Sequence, residues 1–123
     1  MNLESFYTIT TRTEPNENTL NVTIEIDSLH EVFKGHFPGH PVVPGVALLQ
    51  ISKELCETYT ETPLVMKEAS RVKFVNLVNP LQNNQLNFTL TFEAKEGLLK
   101  VKNSTTFVDQ TPVMQCMLMF EKI

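Results

Sequence analysis

The stretch Gly45-Val46-Ala47-Leu48-Leu49-Gln50-Ile51-Ser52-Lys53-Glu54-Leu55-Cys56-Glu57-Thr58-Tyr59 decides the fold. After Gly45 it holds good helix formers and neither Pro nor Gly, so it reads as one helix. Val46, Leu48, Leu49, Ile51, Leu55 and Cys56 make its first half apolar on nearly all sides. A helix of that kind must be surrounded by other elements.

The surrounding material lies on both flanks. Upstream, Phe6 to Arg12 and Thr19 to Asp27 alternate with period two, Leu20, Val22, Ile24 and Ile26 against Asn21, Thr23, Glu25 and Asp27. A turn is expected between them at Glu14-Pro15-Asn16-Glu17-Asn18. Downstream, strands are expected at Leu64 to Val75, Leu86 to Glu96, Leu98 to Val108 and Val113 to Glu121, broken by turn signals at Asn79-Pro80, Glu96-Gly97 and Asp109-Gln110-Thr111-Pro112. The economical architecture is α+β: one long central helix wrapped by a strongly curved antiparallel sheet of five or six strands. Open sheet edges in so small a domain favour pairing with a second copy.

The chain has 123 residues, room for a single domain over 1–123 and too little for a multidomain enzyme. Hydrophobic residues make up 41% and charged residues 20%, an ordinary globular balance. Lys plus Arg number 10 against 14 Asp plus Glu, for a net charge of −4, so no basic excess exists to neutralise a nucleic-acid backbone. The N-terminus lacks a basic and apolar leader and no stretch approaches the roughly 18 apolar residues of a membrane span, so a cytoplasmic location is expected. Three Asn-x-Thr matches, at Asn21, Asn87 and Asn103, matter only in a secreted chain and are set aside. Cys56 and Cys116 have neither zinc nor disulfide spacing and read as buried reduced thiols.

The anomaly is the segment just before the helix. It reads Leu29-His30-Glu31-Val32-Phe33-Lys34-Gly35-His36-Phe37-Pro38-Gly39-His40-Pro41-Val42-Val43-Pro44. Three of the seven prolines, Pro38, Pro41 and Pro44, fall within seven residues, beside Gly35 and Gly39. Pro fixes φ and Gly permits close approach, so this is a rigid loop delivered onto a helix N-terminus. His36 lies in that loop, and an unperturbed histidine pKa near 6.5 suits proton transfer at neutral pH. The Gly45 N–H, with the helix dipole behind it, suits a carbonyl oxygen on which negative charge develops. A base beside an oxyanion donor is the minimum kit for removing a proton α to a carbonyl. A loop histidine is also commonly structural, and these residues alone leave both readings open.

The pattern Gly35-His36-Phe37-Pro38-x-x-Pro41-x-x-Pro44-Gly45-Val46 resembles the signature of the FabZ-type 3-hydroxyacyl-[acyl carrier protein] dehydratases of the hotdog-fold superfamily. Lys73-Phe74, Val78, Pro80 and Gln85-Leu86 resemble the segment that follows the helix in that family, and Val113 to Phe120 its last strand. The resemblance runs from about Leu20 to the C-terminus. It implies a hotdog fold, with the helix as sausage and the sheet as bun. It also implies that His36 removes a C2 proton from a (3R)-hydroxyacyl thioester while the Gly45 N–H polarises the carbonyl, giving a trans-2-enoyl thioester. Phe37, Pro38, Pro44, Val46 and Phe74 would line the acyl site. The partners it implies are an acyl thioester on acyl carrier protein or coenzyme A, within a homodimer or an oligomer of dimers, in fatty-acid or related lipid or polyene biosynthesis.

Two departures stand out. In the family a helix Glu fourteen residues after the His, reaching in from the partner subunit, helps expel the hydroxyl; here that position holds Gln50. An amide holds a hydroxyl or water by hydrogen bonds but does not give up a proton as a carboxylic acid does. Three readings follow: His36 shuttles the proton alone while Gln50 orients the hydroxyl; Glu54, one helical turn on, substitutes as acid; or the chain is an impaired subunit that binds carrier protein or forms a heterodimer with an active homologous dehydratase. The family's His-x-x-Pro-Phe-Leu-Leu-Val-Asp-Arg-like opening is the second departure, replaced here by Ser5-Phe6-Tyr7-Thr8-Ile9.

Other candidates are weaker. His30, His36 and His40 lack metal-ligand spacing, and neither a metal nor a cofactor is expected; His30 reads as a surface or capping residue. Phe33, Phe37 and Phe74 read most simply as core, or as tunnel lining in a dimer. Lys34, Lys53, Lys67, Arg71 and Lys73 are candidates for receiving an acidic carrier protein, or are simply a solvated face. A hotdog acyl thioesterase is the remaining alternative, and Gln50 argues against it because that chemistry needs a carboxylate to activate water. No Gly-rich phosphate loop or nucleophile elbow is present.

Overall fold

A computed structural model describes residues 3–34 and 41–123. In chain order the elements are β1 (Tyr7–Asn16), β2 (Thr19–Ile26), a 3-10 turn at Glu31–Lys34, α1 (Gly45–Thr60), β3 (Leu64–Phe74), β4 (Gln85–Lys95), β5 (Leu98–Phe107) and β6 (Pro112–Lys122). The six strands form one antiparallel sheet in the order β1-β2-β4-β5-β6-β3. This is the α+β hotdog arrangement. β3 follows the helix in sequence but pairs with the last strand, which makes β1 and β3 the two edges.

Period-two alternation buries one side of each central strand. Leu20, Val22, Ile24 and Ile26 of β2, Leu86, Phe88, Leu90 and Phe92 of β4, and Cys116, Leu118 and Phe120 of β6 share one core with Ala47, Leu48, Ile51, Leu55 and Cys56 of α1. Burying side chains of this size stabilises by about 1.5–3 kcal/mol each. A closed polar chain interrupts the core: the Ser52 hydroxyl donates to the Leu48 carbonyl at 2.9 Å, Asn103 Nδ2 donates to Ser52 Oγ at 2.6 Å, and Thr105 Oγ1 donates to Asn103 Oδ1 at 2.8 Å. All three residues are buried. Their mutual satisfaction lets polar groups sit there.

At the far end of α1, the Tyr59 ring stacks on Phe92 at 4.0 Å and its hydroxyl donates to the Glu17 carbonyl. Glu61 closes the helix in the left-handed region, φ 56°, and the Glu57 carboxylate accepts the Leu64 N–H, turning the chain into β3.

Two expectations about the elements themselves are corrected. The expected five-residue turn after β1 is only Glu17-Asn18; β1 runs on through Pro15 to Asn16. Pro15 is tolerated because β1 is an edge strand, where a missing N–H faces solvent. The helix is also not surrounded on every side. Val46 is 63% exposed, and Leu49, Gln50, Lys53 and Glu54 are half-buried. The sheet curls around α1 without closing, and this stripe of the helix lies open between Tyr7 of β1 and Val65 and Met66 of β3.

Candidate active site

The segment entering the helix is pinned before it arrives: Val43 is buried and its N–H donates to the Val78 carbonyl at 2.9 Å. Pro44 follows as the N-cap in extended conformation, φ −62° and ψ 144°, and its carbonyl accepts from the Ala47 and Leu48 N–H groups at 3.0 and 3.3 Å. Proline carries no side-chain acceptor, and the first helical turn holds no acidic residue. The N–H groups of Gly45 and Val46 therefore have no intrahelical acceptor and point their partial positive charge out of the helix end.

Phe74, the last residue of β3, packs its ring tip onto Gly45. A Cβ at position 45 would stand 2.7 Å from the tip of that ring, so only glycine lets the ring approach this closely. Phe74 is 52% exposed, so of its two expected readings, core or tunnel lining, the core one does not hold within this chain. Because β3 is an edge strand, its final side chain reaches the open side of the helix. Pro44, Gly45, Val46 and Phe74, all expected at the site, thus meet at one helix terminus.

Gln50 lies one turn further along the same stripe. It shares a groove of about 410 Å³ with Val46, Leu49 and Lys53 of α1 and Val65 and Met66 of β3. Its Nε2 donates to Glu54 Oε2 at 3.0 Å, and the Tyr7 hydroxyl donates to Glu54 Oε1 at 2.8 Å. Both oxygens of Glu54 are therefore engaged as acceptors. Burial raises the Tyr7 phenol well above its usual range, and the Glu54 carboxylate beside it raises it further. The sequence reading missed Tyr7. The contact joins residues 47 apart, and a tyrosine at the start of an edge strand carries no local sign of it.

His36, Phe37, Pro38 and His40 lie outside the described residues. His30 caps the 3-10 turn, as expected: its Nδ1 accepts the Val32 N–H at 3.1 Å, so Nε2 carries the proton and donates to the Glu4 carbonyl at 2.8 Å. Phe33 is core. Among the described residues no three His, Cys, Asp or Glu side chains gather as metal ligands. Cys56 and Cys116 are free and buried, and burial pushes their thiols up to about 12 and about 11. The five expected basic residues divide. Arg71 and Lys73 share an outer groove with Lys102, Lys53 lines the groove beside Gln50, Lys67 faces Glu121 at 3.9 Å, and Lys34 stands exposed at the end of the 3-10 turn. Among the described residues no helix is long and apolar enough to cross a membrane.

The helix terminus thus carries no capping side chain, is walled by an aromatic ring, and has a polar side chain one turn away on the same open stripe. Residues 11–111 match the ApeI-like family, described as ApeI dehydratase. The chain belongs to the ApeI-like dehydratase family. It is 30% identical over 117 residues to the 3-hydroxyacyl-[acyl-carrier-protein] dehydratase FabZ of Lactococcus lactis subsp. lactis, a match covering 87% of this chain and 74% of that one. The FabZ of Nitratiruptor sp. is 31% identical over 91 residues, 63% of this chain and 60% of that protein. Among solved structures, the dehydratase heterocomplex ApeI:P from Xenorhabdus doucetiae superposes with a TM-score of 0.75 at 23% identity, covering 92% of this chain and 96% of that one. A dehydratase role follows from the family.

Proposed function

We infer that this chain dehydrates (3R)-hydroxyacyl thioesters carried on acyl carrier protein, in fatty-acid or related lipid biosynthesis, with His36 as the proton-transferring group. The observation that carries the reading is the meeting of Pro44, Gly45 and Phe74 at the uncapped start of α1, one turn from Gln50. A thioester carbonyl placed on the Gly45 N–H gains a hydrogen bond that strengthens as an enolate forms.

His36 takes the C2 proton. The electron pair left behind forms the C2=C3 bond, the C3–O bond breaks, and the protonated imidazole returns its proton to the departing hydroxyl, which leaves as water. One group performs both transfers in a syn elimination, so Gln50 has only to hold the hydroxyl by hydrogen bonds. Phe74 and Val46 supply apolar surface beside the helix end. The Arg71, Lys73 and Lys102 groove adjoins Phe74 along β3, where an acidic carrier protein would find local positive charge on a chain of net charge −4.

The stripe of α1 left open by the sheet, with exposed Val46, Val65 and Phe74 around it, is covered in this reading by a second hotdog chain, identical or homologous. The Xenorhabdus neighbour, described as a heterocomplex, supports the second form.

The test is mass spectrometry of a hydroxyacyl carrier protein incubated with the purified chain, alone and with any co-purifying homologue. Loss of water from the acyl group is the expected product. His36→Ala lowers the rate by about two to four powers of ten; unchanged turnover removes His36 as the base. Gly45→Ala leaves the fold standing, since alanine favours a helix and only a mobile ring tip must move, but it displaces Phe74 and slows turnover.

A further inference from the structure

The Gln50, Glu54 and Tyr7 side chains form one continuous hydrogen-bonded chain across the open side of the molecule. A carboxylate accepts hydrogen bonds and donates none, so the atom of Gln50 that meets Glu54 is its NH2. Two donors converge on the two oxygens of Glu54, Tyr7 Oη at 2.8 Å and Gln50 Nε2 at 3.0 Å. Tyr7 comes from the edge strand β1 and Glu54 from α1, so the clamp is built across two elements and cannot swing with either one. The amide of Gln50 is planar, with Nε2 and Oε1 on opposite sides of its terminal carbon. Anchoring the nitrogen leaves the oxygen for whatever enters the groove shared with Val46, Leu49 and Met66.

We propose that Tyr7 and Glu54 are positioning residues that lock the Gln50 amide with its Oε1 toward the substrate, making position 50 a hydrogen-bond acceptor for the C3 hydroxyl. The inference rests on the dehydratase reading above for the identity of the substrate. An acceptor at this place takes the hydroxyl hydrogen and turns a hydroxyl lone pair outward, free to receive the proton that cleaves the C3–O bond. Glu54 then serves by remaining an acceptor, with no spare oxygen for acid catalysis. Charge-assisted hydrogen bonds of this type are shorter and stronger than neutral ones, which suits them to hold an amide in one of its two flipped orientations.

The test uses Tyr7→Phe and Glu54→Gln in the full chain, with two readouts. The side-chain NH2 resonances of Gln50, identified in nitrogen-15-labelled protein by their loss in Gln50→Glu, report the amide directly. Both variants are expected to shift them. Both are also expected to lower kcat about tenfold while KM stays within about twofold, since a misaligned acceptor weakens the transition state more than the bound substrate. Glu54→Gln removes the charged acceptor without changing side-chain volume: its new NH2 either faces Gln50 and turns that amide over, or faces the Tyr7 oxygen and leaves Gln50 Nε2 on a weaker, neutral acceptor. If Tyr7→Phe fails to fold, Glu54→Gln carries the same readouts. Resonances of Gln50 unmoved in both variants overturn the proposal whatever the rates, and moved resonances with wild-type kcat overturn it as a positioning device. A wild-type chain that dehydrates nothing overturns the functional reading instead; the resonances alone then decide the clamp.

Discussion

Two polar chains hang from α1, and they behave oppositely. Ser52, Asn103 and Thr105 lie wholly inside the core, whereas Gln50, Glu54 and Tyr7 lie on the open stripe. Positions 50 and 52 are about 200° apart around a helix, so the two chains leave it from nearly opposite faces. The inner chain is closed. It ends on the Leu48 carbonyl, and its members satisfy one another. The outer chain is closed at the Glu54 end and leaves an amide oxygen at the other. A polar group under the sheet must find its partners within the protein or cost the fold dearly, whereas one at the rim can keep an acceptor for a ligand.

Breaking the inner chain carries the largest effect on stability. Asn103→Leu leaves Ser52 without its donor and Thr105 without its acceptor, both buried, and is expected to cost about 2–4 kcal/mol in chemical denaturation. A loss below about 0.5 kcal/mol would show that the core relaxes around the hole and that the inner chain's hydrogen bonds are dispensable to the fold.

Gln50→Glu sharpens the contrast at the rim. It sets a second carboxyl where an amide now stands 3.0 Å from Glu54, and two such groups cannot both ionise cheaply. The pair's upper pKa rises above its unfolded value, so its stability is retained below the ordinary carboxylate range and lost as pH rises through that raised value. The variant should match wild type near pH 4 and fall about 1–2 kcal/mol below it at pH 8 in paired denaturation curves. Equal curves at both values would mean that the two side chains do not meet.

The smallest effect belongs to Tyr7→Phe on stability alone, about 1 kcal/mol near neutral pH. The folded-state phenol is raised by burial and by Glu54, so its contribution is complete below the ordinary tyrosine pKa of about 10 and fades as pH climbs beyond it. The gap between wild type and Tyr7→Phe should therefore narrow from pH 9 to pH 11. Tyr59, present in both, cancels. A gap that widened would contradict the Tyr7 to Glu54 contact.

Much of this molecule was legible before folding. The helix begins at Gly45 where the proline-rich loop ends, and the strands from β2 onward fall within a residue or two of their alternating patterns, because burial of one sheet face imposes period two on the sequence itself. Pro44, Gly45, Val46 and Phe74 were expected together and meet at one helix end. The turn after β1 was misplaced because an edge strand accepts a proline that a central strand would reject. Phe74 read as core or as tunnel lining, and its exposure was not decided, because hydrophobicity does not tell a strand's last residue whether anything lies beyond it.

By itself the sequence determined one helix, its strands, the dehydratase-like motif ahead of the helix and the amide at position 50, since these depend on local spacing and residue chemistry. Only the tertiary structure decided that β3 crosses to the far edge, that the sheet stops short of closing around α1, and that Tyr7 reaches Glu54 to hold Gln50. Those outcomes depend on which strands pair and how strongly they curl, and strand pairing between residues tens of positions apart leaves no mark in any single stretch of chain.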